Sequence, residues 1–165
     1  MPIQLKVATP DDAPDIATLR VSVARALTAR HGIGPWSGNV TVRGVLNDMR
    51  RSRVFVVRQY DRLIASLALG TRKPWAIDTT YFTRCARPLY LTAMAVVPDT
   101  QRKGIGRQCL EEARKLAAEW PAEMIRLDAF DADAGAGGFY ENCGFREVGR
   151  TSYRGVPLIY YETGV

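Results

Sequence analysis

The segment Gln101-Arg102-Lys103-Gly104-Ile105-Gly106 combines glycines with basic side chains immediately before an amphipathic helical pattern. The first turn of a helix leaves backbone N–H groups without intrahelical partners, and the helix dipole adds partial positive charge there. Gly104 and Gly106 would let the backbone approach an anion closely, and the basic side chains, with Arg107, would add charge-assisted hydrogen bonds. The segment therefore predicts a pyrophosphate-binding loop, although taken alone it is equally consistent with a solvated turn and a glycine helix cap.

Two other phosphate-binding loops are excluded by the residues that follow the glycines. A P-loop requires Lys and then Ser or Thr after its second glycine, whereas Gly106 is followed by Arg107 and Gln108. A dinucleotide-binding fingerprint requires the spacing G-x-G-x-x-G, and Cys109 stands where its third glycine would be. The anion that this loop would bind must belong to another class of ligand.

The periodicity of apolar residues puts this loop between a strand and a helix. A buried-type strand at residues 89–97 precedes it, and an apolar stripe from Arg107 to Trp120 predicts a helix that Pro121 stops. The other patterns predict, in chain order, a strand at 3–7, helices at 11–29 and 42–49, a hairpin of strands 54–59 and 63–69, a strand at 124–130, a short helix at 136–142, and strands at 146–150 and 158–162.

Length, charge and composition limit the classes of protein to which this sequence can belong. At 165 residues we expect a single domain, residues 1–165. The net charge of +6 suits anionic partners, but the arginines are scattered and no aromatic-basic motif occurs, so nucleic acid is not favoured. No apolar stretch reaches about 18 residues and the chain opens on a strand pattern, so we expect no membrane span and a cytoplasmic location.

Cysteine and histidine content argues against a disulfide framework and against a metal. The three cysteines, Cys85, Cys109 and Cys143, are odd in number and lack C-x-x-C spacing, and the lone His31 cannot anchor a metal cluster. We expect His31 to lie in a loop before Gly32.

A second motif follows at Ala136-Gly137-Gly138-Phe139-Tyr140-Glu141-Asn142-Cys143-Gly144-Phe145, with Tyr140 lying 36 residues beyond Gly104. Together the two motifs resemble the GNAT superfamily of acyl-CoA-dependent N-acyltransferases. The first resembles the Q/R-x-x-G-x-G/A loop of that family, and the second resembles its tyrosine-bearing helix that ends in Gly-Phe. The resemblance covers the C-terminal half well, and the N-terminal half only through the order of its elements.

The resemblance implies an α/β fold whose mixed, mostly antiparallel sheet is flanked by helices and splays open at the end of strand 89–97, where coenzyme A enters. The pantetheine contacts would fall on the backbone of Met94, Ala95 and Val96. The pyrophosphate contacts would fall on Gln101, Arg102, Lys103, Gly104, Ile105, Gly106 and Arg107. Asp133 stands where the family often has asparagine, and its carboxylate would be repelled by the phosphates of the cofactor.

The resemblance gives Tyr140 the role of the acid that protonates the departing thiolate of coenzyme A. The reference pKa of tyrosine, about 10, exceeds that of a thiol, about 8.5, so full proton transfer is uphill by about 2 kcal/mol. Donation of a hydrogen bond to the thiolate is therefore the more accurate description of this role.

An amine acceptor would also need a base. An alkylammonium group has a reference pKa of about 10.4, so freeing its lone pair at pH 7 costs about 4 to 5 kcal/mol. Strand 89–97 lacks the carboxylate that some GNAT branches carry there, which leaves Asp128 and the neighbouring Asp131 as candidates. Each is equally consistent with a solvated or capping carboxylate. A backbone N–H near Val96 could polarise the thioester carbonyl.

The sequence says least about the acceptor. The resemblance puts acceptor binding in the first two helices, the loop between them and the later hairpins, where Trp36, Trp75, Tyr81 and Phe82 could line a pocket or could belong to the core or rim. We predict an N-acetyltransferase that transfers acetyl from acetyl-CoA to an amine of a small molecule or peptide in a ternary complex, as a monomer or a homodimer, with O-acylation left open.

Two alternatives remain. A catalytically silent GNAT fold could bind acyl-CoA as a sensor or interaction module, but such a protein would have no need for the acid Tyr140. A basic nucleic-acid binder would lose affinity steeply with salt and would not depend on acetyl-CoA.

Overall fold

The computed structural model describes residues 2–165. Over these residues the chain forms seven β-strands and four α-helices: β1 (Lys6–Val7), α1 (Ala13–His31), α2 (Val42–Arg51), β2 (Arg53–Gln59), β3 (Arg62–Gly70), β4 (Pro88–Val96), α3 (Ile105–Glu119), β5 (Met124–Phe130), α4 (Gly137–Asn142), β6 (Arg146–Tyr153) and β7 (Val156–Gly164). No helix in this part of the chain is both long and apolar enough to cross a membrane.

The strands form a seven-stranded sheet in the order β1-β2-β3-β4-β5-β7-β6. The pairings β1–β2, β2–β3, β5–β7 and β6–β7 are antiparallel. The β4–β5 pairing is parallel and joins Pro88–Tyr90 to Met124–Arg126. The predicted α/β fold with a mixed, mostly antiparallel sheet flanked by helices is therefore confirmed, whereas its splaying at a cofactor site stays a prediction.

The chain divides into two compact units. The first holds residues 2–70 and Thr92–Ala113, and the second holds Thr71–Leu91 and Arg114–Val165. Strand β4 and helix α3 each contribute residues to both units. That residues 1–165 act as one domain stays a prediction.

In the first unit, helices α1 and α2 cover the β2–β3 hairpin. Their buried residues Ile16, Leu19 and Val45 pack in one apolar cluster with Val54 and Leu63 of the strands. Burial of such side chains stabilises the unit by about 1.5 to 3 kcal/mol each. The hairpin turns at Tyr60 and Asp61, whose φ angles of 50° and 65° are typical of a type I′ turn.

The N-terminal elements differ from the prediction. Helix α1 begins at Ala13 rather than at residue 11, because the Asp12 carboxylate accepts the Thr9 N–H at 2.8 Å and closes a 3-10 turn before it. His31 is the last residue of α1, not a loop residue. Strand β1 is short, since the Ile3 N–H donates to the Gln108 side-chain oxygen at 3.1 Å instead of entering the sheet.

In the second unit, the β3–β4 loop (residues 71–87) packs on an aromatic core of Phe82, Tyr90 and Tyr160, joined by Ile77. Strands β6 and β7 are longer than predicted, because the tight turn at Arg154 and Gly155 lets their pairing continue to Tyr153 and Val156.

Candidate active site

The predicted anion-binding loop lies in the first unit, between β4 and α3. Arg102 has a φ of 63° and Gly104 a φ of 83°, and the first hydrogen bond of α3 runs from the Gln108 N–H to the Gly104 carbonyl at 3.1 Å. The N–H groups that follow Gly104 therefore belong to a first helical turn, whose donors have no acceptor within the helix. A Cβ added at Gly104 would meet no protein atom within 4 Å, so the space beside this loop is open. The loop thus fits an anionic phosphate group.

Strand β4 contains a residue of unusual backbone conformation just before the residues expected to contact pantetheine. Ala93 has a φ of 51°, a left-handed conformation that costs a non-glycine residue free energy and recurs at functional sites. Met94, Ala95 and Val96 follow it, and the Gln101 side-chain amide donates to the Val96 carbonyl at 2.9 Å. That bond ties the loop to the strand, so the Gln101 side chain positions the loop in this structure. An alanine carries no sequence signal for positive φ, which is why this conformation was not predicted.

Tyr140 lies on the short helix α4 of the second unit and is 8% exposed. Its ring packs against Phe145 and Phe139, at centroid distances of 5.6 and 5.2 Å. Burial, with a further contribution from the charge of Asp128, raises the pKa of Tyr140 above its ordinary value. The hydroxyl therefore stays protonated at neutral pH and is suited to donate a hydrogen bond.

Asp128 lies on β5, directly opposite Tyr160 of β7, and is partly buried. Burial raises the pKa of its carboxyl, which makes it a better proton acceptor than an exposed aspartate. Asp131 differs, because its carboxylate pairs with Arg150 at 3.3 Å. Asp133 is exposed in the turn before α4. Of the three carboxylates, Asp128 has the environment closest to that of a general base.

Comparison with known families identifies the chain. A model of the acetyltransferase (GNAT) domain matches residues 50–147, more than half of the sequence. The chain belongs to the GNAT acetyltransferase family. The match includes the loop before α3 and the helix that carries Tyr140, the two motifs on which the resemblance rested.

Solved structures share the fold of this GNAT protein over nearly its whole length. A GNAT-family acetyltransferase from Listeria monocytogenes is 20% identical with a TM-score of 0.75, covering 99% of this chain and 95% of that one. An acetyltransferase from Thermus thermophilus is 22% identical with a TM-score of 0.68, covering 100% and 98%. The ribosomal-protein-S18-alanine N-acetyltransferase from Escherichia coli is 18% identical with a TM-score of 0.69, covering 99% and 94%. No curated protein matches the sequence significantly.

The four aromatic residues considered for the acceptor side have different environments. Phe82 is buried in the core of the second unit, so it is structural. Tyr81 packs edge-on against Tyr160 at 5.3 Å, whereas Trp75 is 80% exposed. Trp36, in the first unit, donates its indole N–H to the Gly32 carbonyl at 3.0 Å. Of these four residues, Trp75 is therefore the one most accessible to another molecule.

Sequence reasoning missed a buried charged cluster in the second unit. Arg126 and Glu162 are direct cross-strand partners on β5 and β7, only 5% and 1% exposed. Arg126 donates to the Thr83 carbonyl at 2.7 Å and to the Tyr90 hydroxyl at 3.1 Å. Glu162 accepts the Thr83 N–H at 3.1 Å and pairs with Arg146 at 2.6 Å. Buried charges need such partners, so this cluster fixes the β3–β4 loop to the sheet at Thr83.

The cysteines are free thiols in the structure. Cys109 and Cys143 are buried and Cys85 is partly exposed. Burial raises the pKa of Cys109 to about 12, so this thiol is unreactive at neutral pH. No group of residues in the range 2–165 brings together enough histidine, cysteine or carboxylate ligands for a metal ion.

Proposed function

We propose that this protein is an N-acetyltransferase that moves an acetyl group from acetyl-CoA to an amine by direct transfer. The observation that carries the proposal is the loop at the start of α3, where Gly104 adopts a φ of 83° beside open space. Membership in the GNAT acetyltransferase family supports the reaction class.

In this proposal the pyrophosphate of acetyl-CoA binds at residues 101–107. The N–H groups of the first helical turn donate to phosphate oxygens, and the exposed Arg102 and Lys103 side chains add positive charge. The backbone of Met94, Ala95 and Val96 binds the pantetheine arm, and an N–H near Val96 polarises the thioester carbonyl. Asp133, exposed and anionic, contributes least to this binding.

Tyr140 donates a hydrogen bond from its hydroxyl to the sulfur as the C–S bond breaks. Because burial raises the pKa of Tyr140, complete transfer of the proton to a thiolate is more costly than the reference values imply. The useful effect is a hydrogen bond that strengthens while negative charge develops on sulfur, and such an interaction favours the transition state over the ground state.

Asp128 takes a proton from the acceptor ammonium, directly or through water. Its raised pKa brings its basicity closer to neutral pH, where a general base works best. The freed amine attacks the thioester carbonyl carbon, the C–S bond of the resulting intermediate breaks to release the thiolate of coenzyme A, and the extra proton on the new amide nitrogen passes to water. The acceptor is an amine of a small molecule or peptide. One fold neighbour, the enzyme from Escherichia coli, acts on an alanine of a ribosomal protein.

A turnover screen tests this function. The purified chain is incubated with acetyl-CoA and separate sets of small primary amines, peptides with free N-termini and hydroxyl acceptors, and product is detected by mass spectrometry alongside free thiol. Cys85 is partly exposed and would react with a thiol reagent, so Cys85→Ser serves as the background control. Acetylated amine with matching thiol release supports the proposal. Tight acetyl-CoA binding without transfer to any acceptor would favour the sensor instead.

A further inference from the structure

The geometry points to Tyr161 as a positioning residue for Tyr140, acting through helix α4. This inference rests on the proposed function, because it assigns a role in orienting the acid of that reaction. Tyr161 lies on β7, paired with Leu127 of β5 and Glu147 of β6, and only 1% of it is exposed. A side chain held by strands on both sides is a rigid reference point for a short helix.

Tyr161 contacts α4 at two points on either side of Tyr140. Its hydroxyl donates to the Glu141 carboxylate at 3.2 Å. The same hydroxyl lies so close to Gly137 that a Cβ there would be 2.5 Å from it. The ring of Tyr161 is 6.2 Å from the ring of Tyr140. The Tyr161 hydroxyl thus sets both the distance of α4 from the sheet and the rotation of the helix.

The hydroxyl of Tyr161 remains a hydrogen-bond donor at neutral pH. Burial, and then the negative charge of Glu141, raises the pKa of Tyr161 to about 12. The proton therefore stays on Tyr161, and the bond to Glu141 is a charge-assisted one from a neutral hydroxyl to a carboxylate.

The far end of α4 has its own attachment. Arg114 of α3 donates to the Cys143 carbonyl at 2.5 Å, and Gly144 ends the helix with a φ of 88°. Six residues cannot form a stable helix alone, so these two attachments, together with the packing of the Tyr140 ring, fix where the Tyr140 hydroxyl lies. Removing the Tyr161 attachment leaves the helix held at its C-terminal end.

Gly137 provides the decisive perturbation. Gly137→Ala puts a methyl group against the Tyr161 hydroxyl, so one of the two must shift. Because Tyr161 is buried and paired with strands on both sides, we expect α4 to move away from the sheet. Tyr161→Phe removes that oxygen, and the nearest remaining ring atom, Cζ, is 3.4 Å from the added Cβ, a tolerable contact. Neither position has a left-handed backbone that would add strain of its own. The matched control is Gly138→Ala in the same helix, where an added Cβ meets no protein atom within 4 Å.

The experiment measures kcat, and KM for acetyl-CoA, for both single variants, the double variant and the control. Misplacing a catalytic group by about 1 Å costs on the order of a hundredfold in rate. We expect Gly137→Ala to lower kcat by about tenfold to a hundredfold with KM changed less than about twofold. Tyr161→Phe should lower kcat by severalfold, and the double variant should recover most of the loss caused by Gly137→Ala. Gly138→Ala should match the wild type.

The inference would be overturned if the fold-losses in kcat of Gly137→Ala and Tyr161→Phe multiplied in the double variant. Equal losses of kcat in Gly137→Ala and Gly138→Ala would also overturn it. If Gly137→Ala fails to fold, the inference still requires that the double variant recover both folding and kcat. The proposed function fails in a different way, namely when the wild-type protein transfers no acetyl group. If Tyr140→Phe lowers kcat while both Gly137→Ala and Tyr161→Phe retain it, only the positioning role of Tyr161 is lost.

Discussion

Replacement of Tyr140 by phenylalanine isolates the one hydroxyl assigned to the leaving group. The ring contacts with Phe139, Phe145 and Tyr161 remain, because they involve ring faces and edges rather than the oxygen. Helix α4 should therefore keep its position. What is lost is a hydrogen bond that, in the transition state, reaches a sulfur with developing negative charge.

The expected magnitude follows from that loss. A hydrogen bond to a charged group contributes about 1.5 to 3 kcal/mol, and each 1.36 kcal/mol corresponds to a tenfold change in rate. Tyr140→Phe should accordingly lower kcat by at least about tenfold and by up to about 150-fold. Acetyl-CoA affinity should stay nearly intact, since the bond forms chiefly as the thiolate departs.

Steady-state rates, with the dissociation constant for acetyl-CoA measured by calorimetry, separate these effects. A second comparison uses an acetyl thioester whose thiol has a lower pKa than coenzyme A. That leaving group needs less assistance, so the ratio of wild-type to variant rates should shrink. Wild-type turnover in Tyr140→Phe would refute the role, and so would a loss of acetyl-CoA affinity as large as the loss of rate.

Three further perturbations test other parts of the molecule. Asp128→Asn should lower kcat at neutral pH and raise stability there. Burial raises the pKa of Asp128, so the folded wild type loses stability as the pH rises from the ordinary carboxyl pKa to the raised pKa. If the melting temperatures of the two proteins change with pH in parallel, this prediction is wrong. Gly104→Ala should weaken acetyl-CoA binding by about fivefold, because a left-handed alanine costs about 1 kcal/mol, a strain that the unliganded loop relieves by relaxing and that binding must restore. The control is Gly155→Ala, which introduces the same backbone strain in the β6–β7 turn and should leave the acetyl-CoA affinity measured by calorimetry unchanged. The Tyr160 hydroxyl accepts the Asp78 N–H at 3.1 Å and donates to the Ala76 carbonyl. Because Tyr160→Phe removes both bonds, it should destabilise the protein by about 1 to 3 kcal/mol and speed hydrogen exchange in the β3–β4 loop. Tyr81→Phe, which alters a half-exposed neighbour, is the control; equal protection of the loop in the two variants would show that the Tyr160 bonds do not hold it.

The sequence predicted elements well where a local signal exists. The strand patterns at 54–59 and 63–69 and the apolar stripe of α3 correctly indicated a hairpin and a helix. The glycine at position 104 has the left-handed conformation that makes glycine useful in a phosphate loop. In each case the residues that carry the signal also form the structure, so no distant contact was needed to recognise it.

Features that depend on distant residues were not predicted. The left-handed Ala93 results from the strand and loop around it, and nothing in the residue type indicates that. Arg126 and Glu162 are charged residues, a type usually found at the surface, yet both are buried and both bond to the β3–β4 loop at Thr83. Strand β1 is short because a side chain more than a hundred residues away takes the Ile3 N–H. Tertiary contacts outweigh local pattern at all of these places.

The attachment of the β3–β4 loop has a consequence for how this protein can change. Besides the buried side chains of Ile77 and Phe82, the loop is held through backbone groups, at Ala76 and Asp78 by Tyr160 and at Thr83 by Arg126 and Glu162. Bonds to backbone atoms do not depend on which side chains the loop carries. Trp75, exposed beside these attachment points, can therefore be exchanged for residues of another size or charge while the strands beneath it keep their positions. The exposed positions of this loop can therefore diverge in surface chemistry while its buried residues and backbone hydrogen bonds keep the fold.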